Sequence, residues 1–262
     1  FPPENKKKPY SNIRFRTLQP KDRDEIKTLH EEWFPVTYKD EFYDELVLQR
    51  MFSSGDDLYT CAAVCAKNKG SVNCRGEENG TQNGATGNNK KNGWKSNDQD
   101  DRIVACIVGS YVEVARMDLK TVDCLVDDPS LHTRLFYIMT LGTISEFRHC
   151  KLATKLVRQV IDEVKADRQC GAIYLHVITF NVAAIRFYEK LGFCRVTEIK
   201  DYYTINDQGY NCYLYAKYFN GNNGQRDYYY MITNFMSTVW RQFMNPFFRR
   251  RPITLAHNLI EK

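Results

Sequence analysis

Long apolar runs are missing from this 262-residue chain. None reaches the roughly 18 residues that a bilayer-spanning helix needs, which excludes an ordinary membrane-crossing protein. Cysteine pairing signals are missing too. The nine cysteines are odd in number and scattered, and none forms a CxxC. That argues against a disulfide framework and a zinc ribbon, fits a reducing compartment, and leaves no metal ligand to assign. A broad charge excess is absent as well. Net charge is +5, and the stretch from Arg226 to Lys262, with six basic and two acidic residues, carries +4 of it. The body is therefore close to neutral, which excludes an extensive nucleic-acid-binding face. There is no internal repeat. Position 1 is Phe, with no starting Met and no signal-like segment, so the natural N-terminus is expected to lie upstream.

What is present is ordinary for a folded protein: 43% hydrophobic and 26% charged residues, which rules out a collagen-like or wholly disordered chain. The length suits one large domain or two small ones with a buried core. Residues 1–10, with Lys6-Lys7-Lys8 among prolines, read as a solvated leader. Ile13 to Leu18 alternates as a half-buried strand. Ile26, Leu29 and Trp33 share a helix face that ends before Pro35, and a second helix is expected from Glu41 to Phe52. Leu58 to Ala66 and Ile103 to Val114 are β-rich. Between them, residues 68–101 hold eight Asn, six Gly and one aromatic residue, too little apolar surface to offset ordering entropy. This segment is expected to be a disordered insertion, and its Asn79-Gly80-Thr81 sequon an accident. A loop from Ala115 to His132 precedes strand Leu135–Ile144, helix Lys151–Arg168, strand Ala172–Ile178, helix Val182–Leu191, and strands Phe193–Tyr203 and Tyr210–Phe219. The order predicts an α+β (mixed α/β) domain over residues 11–220, with a central mixed seven-stranded sheet flanked by helices.

The strand through Tyr137-Ile138-Met139-Thr140-Leu141-Gly142 feeds a turn, Arg148-His149-Cys150-Lys151-Leu152-Ala153, and then a long amphipathic helix. A strand, turn and helix N-terminus in that order suit a pyrophosphate, because successive backbone N–H groups converge on the anion. Downstream, Asn181, Ala184, Tyr188, Gly192 and Phe193 spell N-x-x-A-x-x-x-Y-x-x-x-G-F. Together these segments resemble the GNAT acetyltransferases. Arg148-x-x-Lys151-x-Ala153 follows their phosphate-loop pattern except at Lys151, where the family carries Gly. Trp33-Phe34-Pro35-Val36-Thr37-Tyr38, Tyr174-Leu175-His176-Val177 and Tyr202-Tyr203 narrow the resemblance to N-terminal acetyltransferases of the Golgi-associated NatF type, whose usual Glu is replaced here by Thr37.

The resemblance implies acetyl-CoA as cofactor and free protein N-termini beginning with Met as substrate. It implies that Tyr137 and His176 collect the proton that an α-amine, with a reference pKa of about 7.7–8.0, must lose before attack. Met139, Thr140 and Leu141 would offer backbone donors to the acetyl carbonyl. Arg148, His149, Cys150, Lys151, Leu152 and Ala153 would hold the phosphates, Asn181 the pantetheine arm, and Tyr188 would stand near the departing thiolate. Phe34, Pro35, Val36, Thr37 and Tyr38, with Tyr202 and Tyr203 opposite, would bind the peptide. Each residue also has a plainer role as core aromatic, helix stop or solvated turn; it is their co-occurrence in one order that points to chemistry.

In residues 221–262, Ile232, Phe235, Met236, Val239, Trp240, Phe243 and Phe247 form an amphipathic stripe followed by Arg249-Arg250-Arg251. Such a pattern suits a helix lying in a membrane interface, one docked on the domain itself, or one that binds a partner protein. The expectation is a peripheral enzyme at the cytosolic face of the Golgi or a related membrane, monomeric or homodimeric, without a nucleic-acid partner. Two other readings stay open: a lysine (histone) acetyltransferase, and a non-catalytic acyl-CoA-binding membrane adaptor.

Overall fold

A computed structural model of the chain describes residues 13–66, 101–205 and 208–224. The leader, the insertion apart from Asp101, and the amphipathic segment beyond residue 224 lie outside the described residues. The elements are β1 (Ile13–Arg16), α1 (Arg23–Trp33), α2 (Asp40–Leu48), β2 (Leu58–Ala66), β3 (Asp101–Glu113), α3 (Leu119–Leu125), β4 (Arg134–Thr143), α4 (Leu152–Ala166), β5 (Cys170–Ile178), α5 (Val182–Lys190), β6 (Cys194–Ile205) and β7 (Gln208–Tyr218). Seven strands form one sheet in the order β1-β2-β3-β4-β5-β7-β6, antiparallel throughout except for the parallel pair β4–β5.

The apolar runs of β2 and β3 explain their central place. Ala62 to Val64 and Ile103 to Val108 are buried on both faces, as strands covered by helices on each side must be. The cross-strand row Cys61–Ile107–Leu141 faces α4, where Cys61 meets Gln159; the adjoining row Thr60–Val108–Thr140 faces α1, where Thr140 meets His30. Helix α4 buries Leu152, Leu156, Val157, Val160, Ile161 and Val164 on one stripe. Full burial of such side chains contributes roughly 1.5–3 kcal/mol each.

Four sequence expectations need correction. Helix α2 stops at Leu48, not Phe52, because Gln49 turns left-handed (φ 56°) and the N–H groups of Gln49 and Arg50 bond back to Leu46 and Glu45. The loop expected from Ala115 to His132 contains α3, started by Asp118, whose carboxylate accepts the Thr121 N–H at 3.1 Å, and held by buried Val122 and Leu125. Asp101 belongs to β3 rather than the insertion, fixed by the guanidinium of Arg14 at 2.7 and 2.8 Å. The domain also runs past residue 220. Asn222 is buried and bonds to Leu125, Gly171, Asp127 and Gly224, which ties residues 221–224 to the sheet.

One irregularity positions the site. In the β3–β4 ladder, Val108 pairs with Thr140 and Gly109 with Ile138, leaving Met139 as an extra residue. Strict alternation would send Tyr137 and Thr140 to opposite faces. The bulge at Met139 puts both on the face covered by α1.

Candidate active site

The parallel pair β4–β5 holds only from Arg134↔Cys170 to Tyr137↔Tyr174. Beyond that point β4 stays with β3 as far as Thr143, and β5 stays with β7 as far as Ile178. The two strands therefore part, and the backbone groups of β4 from Ile138 onward that face β5 have no strand partner. A cleft of about 580 Å³ opens in this wedge. Its walls are the parted strands, the chain from Trp33 to Tyr38, the turn at Arg148 and His149, and α5.

At the point of parting stand three polar side chains. Nδ1 of His176 lies 3.2 Å from the Tyr137 hydroxyl and 3.3 Å from the Tyr202 hydroxyl. Tyr202 stacks on the imidazole at 4.4 Å and 19°, and Tyr137 stacks on Tyr174 at 4.9 Å and 27°. The Tyr203 hydroxyl donates to the His176 carbonyl at 3.5 Å. Neighbours on a regular strand cannot both reach one residue. Between Ile199 and Tyr203 the register of β6 shifts, with Asp201 left-handed at φ 50°, and so Tyr202 and Tyr203 both reach His176. Burial pushes the His176 imidazole down to about 4 and the Tyr137 phenol well above its usual value. Both are neutral near pH 7, with a proton on each phenol and one on the imidazole.

Of the residues the sequence singled out, Phe34, Pro35, Val36, Tyr38, Met139, Thr140, Leu141, Arg148, His149, Ala153, His176, Asn181, Tyr188 and Tyr203 line the cleft. Tyr137 and Tyr202 stand behind this wall and reach it through His176. Thr37 is exposed and off the cleft, as is Lys151; Cys150 is half-buried and Leu152 packs into the core. Asn181 lines the wall, but its Oδ1 caps α5 by accepting the Ala184 N–H at 3.1 Å, so that oxygen is engaged within the fold. Tyr188 is buried between Phe187 and Phe193. His149 and Lys151 are both left-handed, at φ 64° and 61°, and so bring successive backbone N–H groups to the mouth of α4. No carboxylate lines the cleft among the described residues. Its one permanently charged member among the described residues is Arg148.

Trp33 and Phe187 line the cleft without having been singled out for it. Trp33 lies flat on Gly142, so that a Cβ there would fall inside the indole ring. A tryptophan beside Phe34-Pro35 was the available signal, and it was absorbed into the helix stripe. His30 was passed over altogether. It is 1% exposed, and its Nε2 lies 3.5 Å from the Thr140 hydroxyl.

A family model described as the acetyltransferase (GNAT) family matches residues 85–193. A histone acetyltransferase, MCC1, of Arabidopsis thaliana is 26% identical over 212 residues, which cover 80% of this chain and 71% of that one. N-alpha-acetyltransferase 60 of Danio rerio is 27% identical over 213 residues, 80% of this chain and 72% of its own length. The crystal structure of Arabidopsis thaliana NAA60 in complex with acetyl-CoA superposes with a TM-score of 0.59 at 24% identity, covering 80% of this chain and 99% of that one.

Proposed function

We propose that this chain is an acetyltransferase of the GNAT family, whose model matches residues 85–193, and that it moves an acetyl group from acetyl-CoA to the free α-amine of protein N-termini that begin with methionine. The observation that carries the reading is the neutral His176–Tyr137–Tyr202 cluster at the apex of a wedge in which no carboxylate stands among the described residues. An ammonium ion entering that wedge finds no counter-charge. The neutral amine is the form it accepts, and desolvation favours loss of the proton. At pH 7 an α-amine is neutral about one time in eight, a lysine side chain about one time in 2,500. The difference amounts to about 3.4 kcal/mol in favour of α-amines, which sets this reading above lysine acetylation.

The residues fit a CoA thioester. Parted strands with unpaired backbone groups and the left-handed turn before α4 leave room and donors for an extended arm and its phosphates. When bound, acetyl-CoA supplies an activated carbonyl to the amine. The unpaired N–H groups of β4 around Met139 to Leu141 would stabilise negative charge on the acetyl oxygen. The neutral imidazole of His176 would take up the proton released by the amine, through a water, with the Tyr137 and Tyr202 hydroxyls holding the ring at Nδ1. The Tyr188 hydroxyl, kept protonated by burial, would supply a proton at the donor end. Phe34, Pro35, Val36 and Tyr38 would hold the methionine side chain in an apolar slot.

The test is acetyl transfer from acetyl-CoA to Met-Lys- and Met-Val-starting peptides, with the same peptides blocked at the α-amine but bearing a free lysine. Expected is turnover of the free N-termini only, lost in His176→Ala. Faster modification of the blocked peptides would install the lysine reading, which the name of the Arabidopsis relative motivates. A chain that binds acetyl-CoA but turns over neither set would be the adaptor. The amphipathic stripe of residues 232–247 and Arg249–Arg251 support a further element of the proposal, action at a cytosolic membrane face. Flotation with anionic liposomes should be lost on truncation after Gly224, a boundary that spares Asn222; retained flotation would remove the membrane from the account.

A further inference from the structure

The imidazole of His30 sits in α1 inside a box of five aromatic rings, Trp33, Phe34, Tyr38, Phe42 and Tyr43, with centroids 5.2–6.0 Å away. Its Nδ1 is buried with no hydrogen-bond partner among the described residues, and its Nε2 has one, the Thr140 hydroxyl. A polar ring so placed carries a desolvation cost that a leucine would not. Such a group calls for an explanation beyond packing. Three of the five rings, Trp33, Phe34 and Tyr38, form the acceptor wall of the cleft, and Thr140 is the first residue after the bulge at Met139.

We propose that His30 is a positioning residue for the acceptor slot. Its Nε2 locks Thr140 to α1, which holds β4 in the bulged register that turns Tyr137 and Thr140 to one face, while its ring edge sets the spacing of Phe34 and Tyr38. A slip of β4 by one residue would turn Thr140 away from His30, so this contact exists only in the bulged register. The phosphate turn and α5 touch neither the box nor Thr140 in any of these contacts, so the effect falls on the amine substrate, and on the acetyl oxygen it attacks, rather than on the hold on CoA.

This proposal rests on the acetyltransferase reading, and the experiment separates the two. Peptide KM, kcat and the acetyl-CoA dissociation constant are measured for wild type, His30→Leu, His30→Gln, Thr140→Val and the double variant His30→Leu/Thr140→Val. Expected for His30→Leu is a rise in peptide KM of about fivefold or more, with acetyl-CoA affinity within about twofold and thermal stability equal or higher. The glutamine variant, whose amide N–H reaches where Nε2 stood, should restore most of the loss. Thr140→Val should mimic His30→Leu, and the double variant should be no worse than the poorer single one. If His30→Leu fails to fold, the volume-conserving Thr140→Val decides alone. A peptide KM unchanged in the Leu variant, or a Gln variant as impaired as Leu, overturns the positioning role. A wild-type chain that acetylates no amine overturns the parent reading and this one with it.

Discussion

Acid should unfold this domain before its carboxylates require it. Burial holds His176 down at about 4 and His30 down at about 3, against 6.5 for an exposed imidazole. Below pH 6.5 the unfolded chain takes up protons that the folded one refuses, so stability is complete above that value and lost as pH falls toward the folded pKa. Each histidine costs about 1.4 kcal/mol per pH unit inside this window. From pH 6.5 to about 4 the loss is roughly 3 kcal/mol for each, or about 6 for the two, against a typical domain stability of about 5–15 kcal/mol. The carboxylates held low by partners, Asp40, Asp56, Asp128 and Glu146, lose their contribution only below the ordinary carboxylate range. Glu163, raised by burial, acts in the opposite sense and offsets a little near that range. Unfolding free energies from urea titrations between pH 8 and pH 4.5 should stay level to about pH 7, then fall at roughly 2–3 kcal/mol per pH unit between 6 and 5. His30→Gln or His176→Gln should each remove about half of that slope. A level curve down to pH 5, or a double variant that keeps the wild-type slope, would refute the claim that both rings are folded in neutral form.

Gly142→Ala drives a methyl into the indole of Trp33 and should cost about 1–3 kcal/mol by denaturant unfolding; an unchanged midpoint would mean that Trp33 moves freely. Lys151→Gly relieves a left-handed residue worth about 1–2 kcal/mol and adds chain entropy of about 0.5–1, so the melting temperature should rise by a few degrees. A drop there would show that the lysine side chain itself stabilises the turn. Tyr137→Phe removes one of the two hydroxyls on His176 Nδ1 and should lower kcat by about tenfold or more at an unaltered acetyl-CoA dissociation constant. An unaffected kcat would move the proton path to Tyr202.

The parts of this fold that repeat a period were legible in the sequence, and the parts that break one were not. Strand and helix order followed from alternation and from stripes such as Leu152, Leu156, Val160 and Val164, which report burial directly. Helix α3 was missed because seven residues make too short a stripe, although Asp118 three positions before Thr121 is a readable cap. The end of α2 was misplaced because the left-handed turn at Gln49 has no glycine to announce it. In the site, His176 and Tyr137 came from the resemblance to the GNAT acetyltransferases, while their hydrogen bond and Tyr202's share in it depend on two register shifts, at Met139 and before Tyr203. Register shifts are set by tertiary packing and leave no local signature.

Those two shifts also account for how one cleft between interior strands serves two substrates. β4–β5 is the sheet's parallel pair, and a parallel pair needs a crossover, here α4, whose first turn must lie beyond the end of β4. The donor's phosphates and the parted strands therefore belong to one end of the molecule by topology alone. The acceptor side has no such guarantee. Tyr137, Thr140, Tyr202 and Tyr203 would be divided between two faces by regular strands. The extra residue at Met139 gathers the first two, and the kink at Asp201 gathers the last two around the same imidazole. If so, lengthening or shortening β4 by one residue at Met139 should abolish acceptor turnover in a protein that still folds and still binds acetyl-CoA. Loss of donor binding in that deletion would instead tie the bulge to the wedge itself.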